Sequence, residues 1–234
     1  MARFVDETEY ALRRNEILDA AQRLVNTKGY GQMAIQDILD DLKISKGAFY
    51  HYFSSKQALL EALVDRIRQE AEKVIVPIVQ DPDLPALAKL ERFFDTITRW
   101  KTAQKTYLLA LLHVWYHEEN AMVRQKVYME GPKWITPLLT QVIQQGVREG
   151  AMNTLFPDRT GEVVVALSYG LGDTMAELLL SLQPDSSEAS RRECLHHLER
   201  TAAAYTDAIE RVVGAATGSL NLFNVESLKE WVTP

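Results

Sequence analysis

Apolar residues recur at three- and four-residue intervals along almost the whole chain, and no strand-like alternation of useful length appears. That pattern predicts an all-α fold. Ile17, Leu18, Ala21, Leu24 and Val25 form one face of a first helix. Lys28-Gly29 should close it, a basic last turn followed by a residue that tolerates positive φ. A short helix with Ile35, Ile38, Leu39 and Leu42 inward follows, and a third starts at Ser45, a good N-cap. Ser54 and Gln57 fit a capping box for a longer helix that buries Leu59, Leu63, Ile67, Ala71 and Val74 and ends before Pro77. The clearest punctuation is Asp81-Pro82-Asp83-Leu84-Pro85. Beyond it the periodicity predicts helices over 84–102, 105–129, 132–149, 158–182, 189–213 and 225–232, with Gly131-Pro132 opening the third of these. The total is about nine to ten helices.

Composition narrows the class. With 234 residues, 47% of them apolar, the chain can bury a full core without covalent staples. Its one cysteine, Cys194, permits no disulfide framework and points to a reducing compartment, hence the cytoplasm. The opening Met-Ala-Arg-Phe-Val-Asp-Glu has no apolar run and does not read as a secretory leader. Residues 163–182 are long and apolar enough to span a bilayer, but Asp173 and Glu177 near the middle are costly in lipid. A buried helix of a soluble protein, with no membrane partner, is the expectation. The net charge of −6 argues against a nonspecific nucleic-acid coat. Residues 1–60 alone are neutral, so any basic face there must come from how the charges are arranged.

Three short helices and then a long one, all within sixty residues, suit a compact DNA-reading head. The reader would be Ser45-Lys46-Gly47-Ala48-Phe49-Tyr50-His51-Tyr52-Phe53. A helix entering the major groove needs small residues where its backbone meets the wall, and Gly47 and Ala48 supply them. Lys46 can donate to guanine acceptors. Phe49 and Phe53, four apart, are the natural core pair, so Tyr50, His51 and Tyr52 cannot all be buried. Tyrosine hydroxyls, and Lys56 at the start of the next helix, suit phosphate oxygens. A small bundle with an aromatic core fits the same pattern.

Residues from about 12 to 63 resemble the DNA-binding domain of the TetR family of bacterial regulators. The matching stretches are Ile17-Leu18-Asp19-Ala20-Ala21, Gly29-Tyr30, Ile35-Gln36-Asp37-Ile38 and, most densely, Ser45 through Leu60. The resemblance implies a helix-turn-helix head over 1–56 and a ligand-binding and dimerisation domain over 57–234, joined by a helix at about 55–76. It implies a repressor that binds a palindromic operator in double-stranded DNA as a homodimer and is released by a small-molecule effector. Carried over by position, Lys46, Gly47 and His51 face bases, Tyr50, Tyr52 and Lys56 face phosphates, and Gln36 lies near the backbone or a base edge. Ser45 caps the reading helix. Two positions depart from the family pattern. Met33-Ala34 stands where a capping threonine or serine is usual, so that cap is missing or moves to Gln32. Lys43 stands where glycine is usual and carries strain if the turn needs positive φ.

Beyond the head, Trp100, Tyr107, Trp115, Trp134 and Tyr169 are candidates to line an effector pocket, against the alternative that helical aromatics are plain core. Asp173 and Glu177 sit four apart on an otherwise apolar helix, and a buried carboxylate must be paired or hydrogen-bonded. Three readings compete: an arginine across a dimer interface, solvent at a groove, or a pocket for a cationic ligand. His113 reads as a satisfied core histidine or a ligand contact. Leu195, Leu198, Ala202, Tyr205, Ile209 and Val212 step by three and four, a seam suited to near-parallel packing. It fits packing within the chain or, with Leu167 and Leu171, a two-fold four-helix dimer interface.

The enzymatic alternative is a helical carboxylate metalloprotein. Glu193 and His196 form one Glu-x-x-His pair, where a di-iron bundle needs two such pairs and two further glutamates. There is no Gly-rich phosphate loop and no nucleophile elbow. No enzyme activity, metal or cofactor is expected.

Overall fold

The computed structural model describes residues 7–183 and 185–233, and of Glu119 the backbone. The first six residues, on which the absence of a leader was read, lie outside them. The described residues form ten α-helices and no strand. They are α1 (Glu7–Gln32), α2 (Ile35–Leu42), α3 (Lys46–Tyr52), α4 (Lys56–Gln80), α5 (Ala86–Ala103), α6 (Lys105–Trp115), α7 (Ala121–Arg148), α8 (Thr160–Leu180), α9 (Glu188–Val213) and α10 (Val225–Val232). Two compact units result. The first runs up to Gln69 and takes in Thr106–Lys126; the second takes Glu70–Lys105 and the chain from Val127 on.

The first unit is built on the apolar faces read from the sequence. Ile17, Leu18, Ala21 and Val25 of α1 meet Ile38 and Leu39 of α2, Phe49 and Phe53, and Leu59, Leu60 and Leu63 of α4. Tyr107, Leu111 and Val114 complete this core from α6. At Gly29 the backbone leaves the helix (φ 77°, ψ 153°), as the sequence suggests, but one more turn follows. It buries Tyr30, whose hydroxyl donates to the Lys56 carbonyl at 2.7 Å.

Four local expectations are corrected. The cap of α4 is Ser55, not Ser54: its Oγ accepts the Ala58 N–H at 3.0 Å. The same helix continues past Pro77 to Gln80. Pro77 and Lys73, whose carbonyl loses its N–H partner to the ring, are both exposed, so water can serve that carbonyl. Ile75 and Val79 hold the opposite side in the core. The helix expected over 105–129 instead stops at Trp115. There Asn120 Nδ2 donates to the Val114 carbonyl at 3.0 Å and an Arg124 guanidinium N–H to that of Trp115 at 2.6 Å, which satisfies the end of α6. Finally, Gly131-Pro132 opens no helix, because α7 runs through it. Gly131 answers a packing need: a Cβ there would lie 1.9 Å from the Tyr169 hydroxyl.

In the second unit Phe93 and Phe94 of α5, Leu139 and Ile143 of α7, Val164 and Val165 of α8, and Ile209 and Val213 of α9 share a core. Lys89 is buried at 4% exposure and survives there because Nζ donates to the Val79 carbonyl and to Gln145 Oε1, both at 2.8 Å. Helices α8 and α9 pack against each other, and α10 packs on α9 and α5. The segment between α9 and α10 is held by a buried carboxylate: Glu210 accepts the N–H groups of Gly218 and Leu220 at 2.9 and 2.8 Å. The end of α10 is tied by Arg191, which donates to the Val232 carbonyl at 2.9 Å, and by Lys105, which donates to that of Glu230 at 2.8 Å.

The heptad seam turns largely inward. Leu198, Ala202 and Ile209, together with Leu171, are buried by the chain itself; Leu167, Leu195, Tyr205 and Val212 are half-buried. α8 is long and apolar enough to cross a membrane by length and composition, yet only 22% of its most apolar stretch is buried in the chain. Its exposed residues are Glu162, Val163, Ala166, Gly172 and Glu177.

Candidate nucleic-acid interface

The short helix α3 is fixed from beneath and capped at its start. Phe49 and Phe53 are buried with ring centroids 5.8 Å apart, and Ser45 Oγ accepts the Ala48 N–H at 3.1 Å. Anchoring the helix at 49 and 53 sends the intervening residues outward. Ser45, Lys46, Gly47, Tyr50 and His51 are exposed, and Tyr52 is half-buried. The Lys46 ammonium lies 6.0 Å from the centre of the Tyr50 ring. Gly47 has helical geometry, and a Cβ there would meet nothing nearer than Ser45 Oγ at 3.9 Å. The head's own packing therefore does not require glycine at 47.

The turn before α3 is tight. Lys43 ends α2 in the left-handed region (φ 52°, ψ 42°), the sole non-glycine residue with positive φ among those described. The strain expected of a lysine there is thus present. At the start of α2 the side-chain cap is missing, the first of the two alternatives: Ala34 makes no cap bond and Gln32 does not replace it. The Asp37 carboxylate reaches back to the Ala34 N–H at 2.7 Å and pairs with Lys28 at 2.8 Å. The Lys28 ammonium first, and the Ala34 N–H second, hold this carboxyl below its ordinary range. Met33, where a hydroxyl residue is usual, is a core plug at 1% exposure.

Other predicted contacts have partners within the head. Gln36 Nε2 donates to Asp40 Oδ1 at 2.8 Å. Lys56 opens α4 with Nζ 3.3 Å from the Gly31 carbonyl and 4.6 Å from the centre of the Tyr30 ring. Burial pushes the Tyr30 phenol well above its ordinary value, so it stays a donor. Asp19, Asp37 and Asp41 pair with Arg66, Lys28 and Arg23, while Lys43 and Lys46 have no ion-pair partner among the described residues. Sequence reasoning missed Tyr10 of α1, whose ring packs against Tyr52 at 4.8 Å and His51 at 5.7 Å. It also missed Arg14, whose guanidinium lies 5.0 Å from the centre of the Phe53 ring. Their spacing of four, one face of a helix, was the available signal.

The effector candidates divide between the units. In the first, Tyr107 is core and Trp115 packs on that core. His113 is exposed rather than a core histidine, because α6 turns Tyr107, Leu111 and Val114 inward and 113 falls on the other face. In the second, Trp100, Trp134 and Tyr169 are half-buried. The Tyr128 hydroxyl donates to the Asp173 carboxylate, and the Tyr128 and Tyr169 rings lie 5.4 Å apart. Within the chain, the phenol of Tyr128 meets part of the hydrogen-bonding need of Asp173. Glu177, one turn further, is exposed rather than buried. A cleft of about 380 Å³ runs along α9 and residues 217–228, lined by Glu199, Ala202, Glu210, Phe223 and Leu228 among others, and by none of the eight effector candidates. Glu193 and His196, the one metal-like pair, are exposed, and the described residues gather no group of three or more His, Cys, Asp or Glu that could hold a metal.

Comparison with known proteins points the same way as α3. Residues 17–63 match the family described as bacterial regulatory proteins, tetR family. The chain is 22% identical over 157 residues to the HTH-type transcriptional repressor DhaR of Mycobacterium sp. (strain GP1), covering 67% of this chain and 79% of that one. It is 24% identical over 197 residues to the HTH-type transcriptional regulator EthR of Mycobacterium tuberculosis, covering 80% and 84%. Its fold matches the crystal structure of a TetR transcription regulator from Haloarcula marismortui with a TM-score of 0.63 at 22% identity, over 85% of this chain and 98% of that one.

Proposed function

We propose that the chain, whose residues 17–63 match the tetR family of bacterial regulatory proteins, is a ligand-responsive, DNA-binding transcription regulator of that family, not an enzyme, and that it acts as a repressor. One observation carries this reading. α3 is locked from below by Phe49 and Phe53 and presents Lys46, Gly47, Tyr50 and His51 outward, with glycine where the fold itself has no use for one. In a major groove, Lys46 and His51 read base edges while Gly47 lets the backbone approach. Tyr50, Tyr52 and Lys56 take phosphate, and Gln36 of α2 meets the DNA backbone or a base edge. The head is residues 1–56; the remainder, 57–234, binds effector and partner.

The reading extends to a homodimer in the cytoplasm that binds a palindromic operator, one α3 per half-site, with half-sites spaced by about one helical turn or a multiple of it. The poorly covered α8 supports the dimer, since an apolar helix face of this length needs a second cover in water. The contact surface would use the half-buried Leu167, Leu195, Tyr205 and Val212 and the outward faces of α8 and α9, not the inward seam. α4, continuous from Lys56 to Gln80, joins head to effector region and is the lever. An effector that favours the DNA-incompetent arrangement by about 1–3 kcal/mol lowers DNA affinity roughly 5- to 150-fold.

The test is binding to genomic fragments, including the protein's own promoter, at two salt concentrations with competitor DNA. Competitor-resistant binding to a few palindromic sites supports the reading. Affinity no better than for random DNA, from protein freed of small molecules by unfolding and refolding, sinks it.

A further inference from the structure

Three aromatic rings converge at the edge of α3, and one of them belongs to α1. The Tyr10 ring centre lies 4.8 Å from that of Tyr52 and 5.7 Å from that of His51, while His51 and Tyr52 are 5.0 Å apart. The His51 ring stands at 77° to Tyr10 and 81° to Tyr52, the edge-to-face geometry that aromatic quadrupoles favour. An exposed histidine on a short helix otherwise exchanges among staggered rotamers. Here two rings bracket it. One turn along α1, Arg14 lies over the Phe53 ring at 5.0 Å and ties the same face of α1 to the end of α3. Tyr10 itself is half-buried and contributes nothing to the apolar core.

We propose that Tyr10 is a positioning residue for DNA recognition: with Tyr52, which the head's own core already seats, as the second bracketing ring, it fixes the His51 ring before binding, so that sequence selectivity at the base pair His51 reads depends on a side chain of α1. This rests on the reading of α3 as the DNA-reading helix. A side chain already in its bound rotamer loses less freedom on binding, and only the contact it makes gains from it. The effect belongs to specific DNA and not to the phosphate-driven affinity for any duplex.

The experiment uses the full-length chain and duplexes that the wild type selects from a library with a randomised centre. Tyr10→Ala, Tyr10→Phe, His51→Ala and the double variant Tyr10→Ala/His51→Ala are compared on selected and random duplexes, with thermal melting as the check on folding. Tyr10→Leu, which keeps apolar bulk without the ring, replaces the alanine variant if that one unfolds. Tyr10→Ala should weaken the selected duplex about 3- to 10-fold. It should relax preference at the base pair that His51→Ala also relaxes and leave random-duplex affinity and its salt slope unchanged. Tyr10→Phe should match the wild type, and the loss should shrink in the His51→Ala background. Equal weakening on random DNA, full additivity with His51→Ala, or a phenylalanine variant as weak as the alanine one would each overturn the proposal. A wild type that selects no sequence removes the premise itself, a result distinct from all of these.

Discussion

The Asp37 carboxylate accepts the Ala34 N–H at 2.7 Å, so the start of α2 is satisfied from its third residue and not from its cap. The side chain of residue 34 has no oxygen, and only the reciprocal half of a capping box is made. The same carboxylate is held by Lys28 at 2.8 Å. A few atoms of Asp37 thus join the end of α1 to the beginning of α2.

This gives a pH dependence with a definite sign. The Lys28 ammonium lowers the Asp37 carboxyl below its ordinary 3.8 in the folded chain. Its contribution to stability is therefore complete above that value and is lost as pH falls through the lower folded one. The melting difference between wild type and Asp37→Ala should be present at neutral pH and close in acid. A difference that stays constant into strong acid would show that the charge is irrelevant. Ala34→Ser should add the missing cap and raise stability by about 0.5–1 kcal/mol.

Lys43 sits at φ 52° between α2 and α3. Glycine has no Cβ penalty there but loses more freedom on folding, so Lys43→Gly should gain a net of about 0.5–1 kcal/mol. The urea midpoint should rise with an unchanged slope. A fall in midpoint would mean that the lysine stem packs well enough to outweigh the strain.

At Gly47 stability and function should move in opposite directions. The position is helical, exposed and open, so Gly47→Ala should stabilise the fold by about 1 kcal/mol. The added methyl group would stand between α3 and the groove wall and weaken DNA binding. Unchanged binding would place the N-terminal turn of α3 away from DNA.

Lys46 and Lys56 should separate base reading from phosphate contact. Lys46→Ala is expected to cost about 1–3 kcal/mol on a selected operator and to relax its sequence preference. Lys56→Ala should weaken all duplexes alike and reduce the salt slope by about one. If instead Lys56→Ala lowered the melting temperature without touching the salt slope, its contacts with Gly31 and Tyr30 would be its whole role.

What the sequence determined here is local and periodic. The 3.6-residue rhythm chose the faces that bury Ile17, Leu18, Phe49, Phe53 and Ile209, and a hydroxyl at Ser45 was enough to start α3. Such features depend on neighbours within a turn or two and can be read along the chain. What the tertiary structure decided depends on partners far away in sequence. Pro77 does not end its helix, because burial of Ile75 and Val79 on the opposite face outweighs one lost hydrogen bond, and α7 likewise runs on through Pro132. The helix after Lys105 does end at Trp115, because Asn120 and Arg124 reach back to its last carbonyls. The periodicity of the α9 seam could not say whether Leu198 and Ala202 face their own chain or another, since both coverings require the same spacing. The carboxylates at 173 and 177 look alike in sequence, yet only Asp173 meets the Tyr128 hydroxyl. The spacing of Tyr10 and Arg14 marks one face of α1, but what that face meets is decided by the packing of α1 beside α3, because a ring contact across 41 positions of chain leaves no periodic trace.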